Sequence, residues 1–502
     1  MPVSSLLSAL VVATLHTAQP NIIVVMTDDL GWQDVSVPMH TQATPLNAQW
    51  HTPHLEQLAA EGTVLTNGYA AAPVCTPTRV SLMTGQMPAR HNVTYWTLHH
   101  DRDTSKNHPR IAAPPWSKEG LQPGTPTLPK VLRDAGYRTI HAGKAHFGAH
   151  GTPGSNPSNL GFDVNIAGHG SGAPSSFLGT HNFSAAGKKK ANNPNAKLGG
   201  PSVWDVPGLE AYHGKDVYLT EALCTEAINA LDAAVNDGMP VYLYFAPYAV
   251  HAPIMANAKY LPRYEGLHRT EAAYGTMIES VDTALGRILK RLDHHGLTDN
   301  TIVVFTSDNG GLSAHARGGK PNTHNAPLKS GKGSSYEGGT RVPWVVRWPG
   351  VTEPGSRIDT PVITQDLTPT LARAAGAVFP ADHPLDGADL RSVLKAGGVP
   401  TRPLVWHQPH QWGANGPGIE PFTAIRDGDW KLLVFHDGPR VELYDLSKDL
   451  GESNDLSIQR PELTSKLLQQ LRRVSIGTGL QMSIDKATGT PIDLPGGTGR
   501  AE

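Results

Sequence analysis

Nine side chains in this 502-residue sequence are of the types needed to handle an anionic tetrahedral ester. Asp28, Asp29, Asp308 and Asn309 offer hard oxygen ligands. Calcium gathers about six to eight such oxygens, and magnesium fewer in a stricter octahedron. Their spacing excludes an EF-hand loop. Lys144, His146, His251, Arg79 and Lys332 add cationic and proton-carrying groups. A divalent cation surrounded by such groups suits a phosphate or a sulfate. Taken alone, each acid pair would be read as a turn or helix cap, and each Lys or His as an ordinary polar residue. Their common placement at strand ends lifts the metal reading.

The elements that must position them alternate in type. NIIVVM (21–26), residues 137–141, VYLYFA (241–246) and TIVVFT (301–306) read as buried strands. HLEQLAAEG (54–62), TPTLPKVLRDAG (125–136) and residues 271–296 read as helices. Strands alternating with helices predict an α/β fold, a large and mostly parallel sheet sandwiched by helices. Ligands of such sheets sit beyond the carboxyl ends of the strands. Each of the four strands is followed by charged or imidazole groups: Asp28 and Asp29, Lys144 and His146, His251, then Asp308 and Asn309. Folding should gather them at one edge.

The rest of the chain bounds the reading. A net charge of -2 gives no basic face for nucleic acid, and the one basic run, Lys188-Lys189-Lys190, reads as a solvated loop. Residues 148–213 are rich in Gly, Ser, Asn and Pro, a long irregular insertion of the kind that is functional or mobile. Beyond residue 376, short strand patterns joined by turns and a helix at 461–474 predict a smaller C-terminal subdomain with an antiparallel sheet. The expected division is a signal peptide over 1–19, a catalytic domain over 20–375 and the subdomain over 376–502. The apolar run at 6–15 is short for a membrane span and suits a signal-peptide core, so export to the periplasm or medium without stable membrane insertion is expected. Two cysteines make no disulfide framework; Cys224 reads as buried helix filler rather than a partner for Cys75.

Cys75 sits in VCTPTRVSLMTGQ (74–86). From the Pro and Lys+Arg counts, 42 each, a cysteine followed by Pro at +2 and a basic residue at +4 has a chance of about 0.014 for two cysteines. Cys75-x-Pro77-x-Arg79 followed by Ser81-Leu-Met-Thr-Gly85 resembles the signature of the sulfatase family. GKAHFG (143–148), HAP (251–253), SDNGG (307–311) and PLKSGKGSSYEGGTRVPWVVRWPG (327–350) resemble further family segments, in family order. TAIRDGDWKLL and ELYDLSKDLGESNDL resemble its C-terminal subdomain, so the likeness runs from about residue 20 to 475.

The resemblance implies an alkaline-phosphatase-like fold and an exported bacterial carbohydrate sulfatase. Cys75 would be oxidised to formylglycine (3-oxoalanine) by a formylglycine-generating enzyme. Its hydrate would lie against a Ca2+, favoured over Mg2+, held by Asp28, Asp29, Asp308, Asn309 and residue 75. The attacking hydroxyl would form a covalent sulfate. His251 and Lys332 would protonate the leaving oxygen, Lys144 and Lys332 would stabilise the sulfuryl charge, and Arg79 would hold the modified residue. His146 would take the proton that lets sulfate leave. His99, His100, His169 and His324, with Trp96 and Trp412, are candidates to contact a sulfated glycan or oligosaccharide. The rival readings are a phosphonate monoester or phosphodiester hydrolase of the same superfamily and an inactive carbohydrate-binding homologue.

Overall fold

The computed structural model describes residues 19–313, 317–398, 402–413, 415–438 and 440–495. The apolar run read as a signal peptide lies outside them. Among the described residues, no helix is long and apolar enough to cross a membrane.

An eight-stranded sheet forms the centre of the larger unit. Its order is Ser356–Ile358, Thr63–Leu65, Val345–Arg347, Thr301–Ser307, Asn21–Thr27, Val241–Ala246, Arg138–Gly143 and Val164–Ile166. Five neighbours, from Thr301–Ser307 to Val164–Ile166, run parallel, and Val345–Arg347 runs antiparallel to the strands on both sides of it. The interior strands read as unbroken apolar runs because helices cover both faces. Every residue of Asn21–Thr27 is buried. Ile23, Val25, Leu243 and Phe245 pack on one side with helices Leu219–Asn236 and Arg269–His294. Ile22, Val24, Tyr242 and Tyr244 pack on the other with Val80, Leu128 and Leu371. This is the expected mixed, mostly parallel α/β architecture.

The C-terminal unit is a four-stranded antiparallel sheet, Leu404–Gln408, Phe422–Asp427, Trp430–Phe435 and Val441–Asp445, with helix Pro461–Thr478 packed on it through Leu467 and Leu471. The expected boundary at 375/376 is not where the packing divides. Leu390, Val393 and Leu394, from and just before helix Arg391–Ala396, join the core of the large sheet. By packing that segment goes with the larger unit, and the smaller one starts near Leu404.

Two local readings are corrected. Residues 148–213 are not irregular throughout. They supply the edge strand Val164–Ile166 and helix Ala185–Asn192, and Phe177 and Phe183 anchor them in the core. Spaced apolar anchors, rather than periodicity, fix this segment. Lys188-Lys189-Lys190 is accordingly helical, not a loop: the Ser184 hydroxyl accepts from the Gly187 amide at 3.0 Å and caps that helix.

Cys224 is buried in helix Leu219–Asn236, and both cysteines are free thiols.

Candidate active site

Cys75 is the first residue of helix Cys75–Thr84, every residue of which is buried. Pro77 falls in the first turn, where its missing amide hydrogen costs nothing. Gly85 ends the helix in the left-handed conformation at φ 70°. The motif is thus a buried helical turn that points Cys75 and Arg79 at the strand ends.

Arg79 ties the turn to those ends. Its Nε donates to Asp308 Oδ2 at 2.8 Å, and Nη1 donates to Lys144 O at 2.9 Å and to the Tyr244 hydroxyl at 3.3 Å. Lys144 Nζ lies 2.7 Å from Asp28 Oδ1 and 3.6 Å from Asp308 Oδ2. Lys332 Nζ lies 2.6 Å from Asp29 Oδ1, and Asn309 Nδ2 donates to the same oxygen at 2.8 Å. His251 Nε2 stands 3.5 Å from Asp29 Oδ2. Asp28, Asp29, Asp308 and Asn309 are fully buried and converge as their positions after the strands require.

These acids differ in proton affinity. Burial, with Asp308 and Asp29 nearby, pushes Asp28 well above the usual carboxylate range despite Lys144. Burial also pushes Asp29 up, but Lys332 and His251 outweigh it and hold the group low. Asp308 is also held low, because Arg79 and Lys144 overcome its burial. Opposite neighbours thus divide three buried carboxyls.

His146 faces the thiol. Its Nε2 is 2.7 Å from Thr97 O, a pure acceptor, so Nε2 carries the hydrogen. Nδ1 is then the lone-pair nitrogen, 3.3 Å from Cys75 Sγ. Thr76 Oγ1 lies 3.1 Å from His146 Nε2 and accepts from the Thr97 amide at 3.1 Å, which locks the ring edge. Burial, and then Lys144, push the imidazole well below its ordinary pKa. Asp29 at φ 59° and His146 at φ 54° both hold the left-handed region, uncommon for residues with a side chain and frequent at functional sites. Nothing in their residue types signalled Thr76, Thr97 or Tyr244 as supports.

Cys75, His146, His251 and Lys332 open onto a cavity of about 470 Å³. Its walls include Trp96, Trp204 and Trp412. Trp96 and Trp412 are candidates from the sequence; Trp204, inside the polar insertion, is an addition. The four proposed substrate histidines lie apart from this lining. His169 is mostly buried, and its carbonyl accepts from the His146 amide at 3.2 Å. His324 pairs with Glu271 at 3.2 Å. His99 forms a bridge with His150, and His100 is exposed.

The sulfatase family model matches residues 20–377, which cover the large sheet and every residue of this cluster. The chain belongs to the sulfatase family. It is a sulfuric ester hydrolase by that membership. A second model, N-sulphoglucosamine sulphohydrolase, C-terminal, matches residues 331–476. N-acetylgalactosamine-6-sulfatase of Mus musculus is 31% identical over 402 residues, covering 78% of this chain and 69% of the relative. A sulfatase of Formosa agariphila is 28% identical over 505 residues, covering 90% and 88%. The crystal structure of Ps i-CgsB superposes with a TM-score of 0.73 at 29% identity, covering 91% of this sulfatase and 93% of that chain. The same protein has been solved in complex with k-i-k-neocarrahexaose, at a TM-score of 0.73 and 28% identity.

Proposed function

We propose that this sulfatase hydrolyses O-sulfate esters of a sulfated glycan or oligosaccharide at residue 75. The observation that carries the reading is the single cavity onto which Cys75, His146, His251 and Lys332 open between three tryptophans. Indole faces suit sugar rings, which present apolar C–H patches between polar edges. The names of the relatives point the same way: one is an N-acetylgalactosamine-6-sulfatase, and Ps i-CgsB has been solved with k-i-k-neocarrahexaose.

The residues also fit a calcium ion. Asp28 Oδ2 and Asn309 Oδ1 are buried without a hydrogen-bond partner. Ligand atoms of Asp28, Asp29 and His251 lie within 4.8 Å of one another. Unpartnered buried oxygens are costly, and a hard cation is the partner their chemistry asks for. Asp28, Asp29, Asp308 and Asn309 would hold it. Formylglycine at position 75 would supply a hydrated aldehyde bearing both the attacking hydroxyl and the second hydroxyl for sulfate release, and calcium would supply positive charge beside it.

The other roles fall to groups already in place. His146, with Nε2–H held by Thr97, presents Nδ1 to residue 75 as a proton acceptor. Lys332 would bring ammonium charge to the sulfuryl oxygens from the cavity wall, whereas Lys144 is fully buried against Asp28 and Asp308 and would act on that charge from behind them. His251 and Lys332 both line the cavity; burial and then Lys332 push His251 down to about 3, whereas Asp29 raises Lys332 despite its burial, so Lys332 would protonate the leaving oxygen and His251 would stand beside it. Arg79 fixes Asp308 and the nucleophile helix rather than meeting substrate.

The test is turnover of matched aryl sulfate, aryl phosphodiester and sulfated oligosaccharide substrates by the wild type and Cys75→Ala, with peptide mass spectrometry of residue 75. A preference for sulfate, an aldehyde mass and loss of turnover in the variant are expected. Retained turnover in Cys75→Ala would remove the nucleophile assignment; a preference for the phosphodiester would replace the sulfate reading.

A further inference from the structure

The basic run Lys188-Lys189-Lys190 plays no part in the chemistry at residue 75, yet it borders the same cleft. A groove of about 600 Å³ is walled by Ser175, Lys188, Lys189 and Asn192 and meets the catalytic cavity at Ala173 and Trp204, which line both. No carboxylate is among its lining residues. Asp205, beneath it, is engaged by the Ser175 hydroxyl at 2.8 Å, the Ala185 amide at 2.7 Å and the Ser202 amide at 2.9 Å. Helix Ala185–Asn192 holds both lysines on the groove side, and Lys189 Nζ is steadied by donation to Lys197 O at 2.9 Å. An ammonium has three donors, so that bond leaves two for a ligand. Lys190, next along, is exposed and outside the lining.

The opposite side of the cavity differs. There Trp412 leads into a groove that holds a carboxylate, Glu420, as well as Lys106, with Arg440 3.2 Å from that carboxylate.

We infer that the Lys188–Lys189 groove is a second anion subsite, which binds a sulfate on the sugar adjoining the one whose sulfate is removed. The preferred substrate is then a multiply sulfated glycan. This rests on the glycan reading above and narrows it. Two ion pairs at the surface contribute modestly each and are screened by salt, so the effect belongs in affinity rather than in the chemical step.

The experiment uses the full, matured chain and two oligosaccharides of one backbone. One carries only the scissile sulfate; the other carries a further sulfate on the adjoining residue. The wild type should favour the second through a lower KM, and added salt should shrink that preference. In K188A/K189A the ratio of kcat/KM between the two should fall about five- to tenfold. K188R/K189R and K190A should keep the wild-type ratio. Circular dichroism checks that the double variant is folded, and the single variants K188A and K189A should each show part of the fall. Equal KM values for the two substrates in the wild type, or an undiminished ratio in K188A/K189A, would overturn the subsite while leaving the glycan reading standing. Turnover of aryl sulfate without turnover of either oligosaccharide would overturn both.

Discussion

Gly172 lies against the imidazole of His146 so closely that a Cβ on it would fall 2.5 Å from Cε1 and 2.6 Å from Nδ1. The ring is therefore held on two sides, by the Thr76–Thr97 pair at Nε2 and by bare backbone at Cε1 and Nδ1.

Gly172→Ala should displace His146, the proposed proton acceptor, without removing it. A misplacement of about 1 Å costs on the order of a hundredfold in rate. Steady-state kinetics should show that loss in kcat with little change in melting temperature, and His146→Ala should lose about 10² to 10⁴. A Gly172→Ala enzyme with wild-type kcat would refute the positioning argument.

Calcium should stabilise the chelator-treated protein. At about a hundred times its dissociation constant a ligand of the native state adds about 2.7 kcal/mol. Differential scanning fluorimetry should show the rise in the wild type and its loss in Asp308→Asn and Asp28→Asn. A rise of equal size in those variants would place the ion elsewhere.

Arg79 and Asp308 are a fully buried ion pair at 2.8 Å. Removing one member of such a pair typically costs about 3–5 kcal/mol, because the survivor is left charged and dry. Arg79→Ala should lower the denaturation midpoint accordingly. Arg79→Lys should fall between, since it keeps charge but loses the fork that reaches Lys144 O and Tyr244. In Arg79→Ala/Asp308→Asn part of the loss should return; strict additivity would show the pair to be uncoupled.

The two units meet at a buried cluster in which Lys431 Nζ lies 2.9 Å from both Glu337 Oε1 and Glu452 Oε1. Burial, against the pull of Lys431, raises Glu452 to about 7. Glu337 is likewise pushed up by burial, but Lys431 and Arg341 overcome that and lower it to about 2. The folded chain thus keeps the Glu452 proton up to about pH 7, whereas the unfolded chain loses it near the ordinary glutamate value of about 4.3. Between those values the native state binds more protons, so this group lowers stability as pH rises. Glu452→Gln abolishes that dependence. Relative to wild type, the variant should gain stability between pH 4.5 and pH 7 by an amount on the order of a few kcal/mol. Chemical denaturation across that range checks it, and parallel curves would contradict the assignment.

How much of this was legible in the chain differs by residue. The unbroken apolar runs at Asn21–Thr27, Val241–Ala246 and Thr301–Ser307 identified themselves, because a parallel strand buried on both faces leaves no polar alternation. What followed each run then located Asp28, Asp29, His251, Asp308 and Asn309, since the carboxyl ends of parallel strands share one edge. The same local logic missed helix Ala185–Asn192 and Trp204, which are fixed by scattered anchors such as Phe177 and Phe183.

The sequence alone determined residue type, order and strand-end placement, and through these the family. Only the tertiary structure decided which nitrogen of His146 faces the sulfur, which buried acids are pushed up and which are held low, and which lysines border the cleft. Those properties depend on burial and on partners far away in the chain, such as Thr97 for His146 and Arg79 for Asp308. Distances between such partners are set by packing, which no short window of sequence contains.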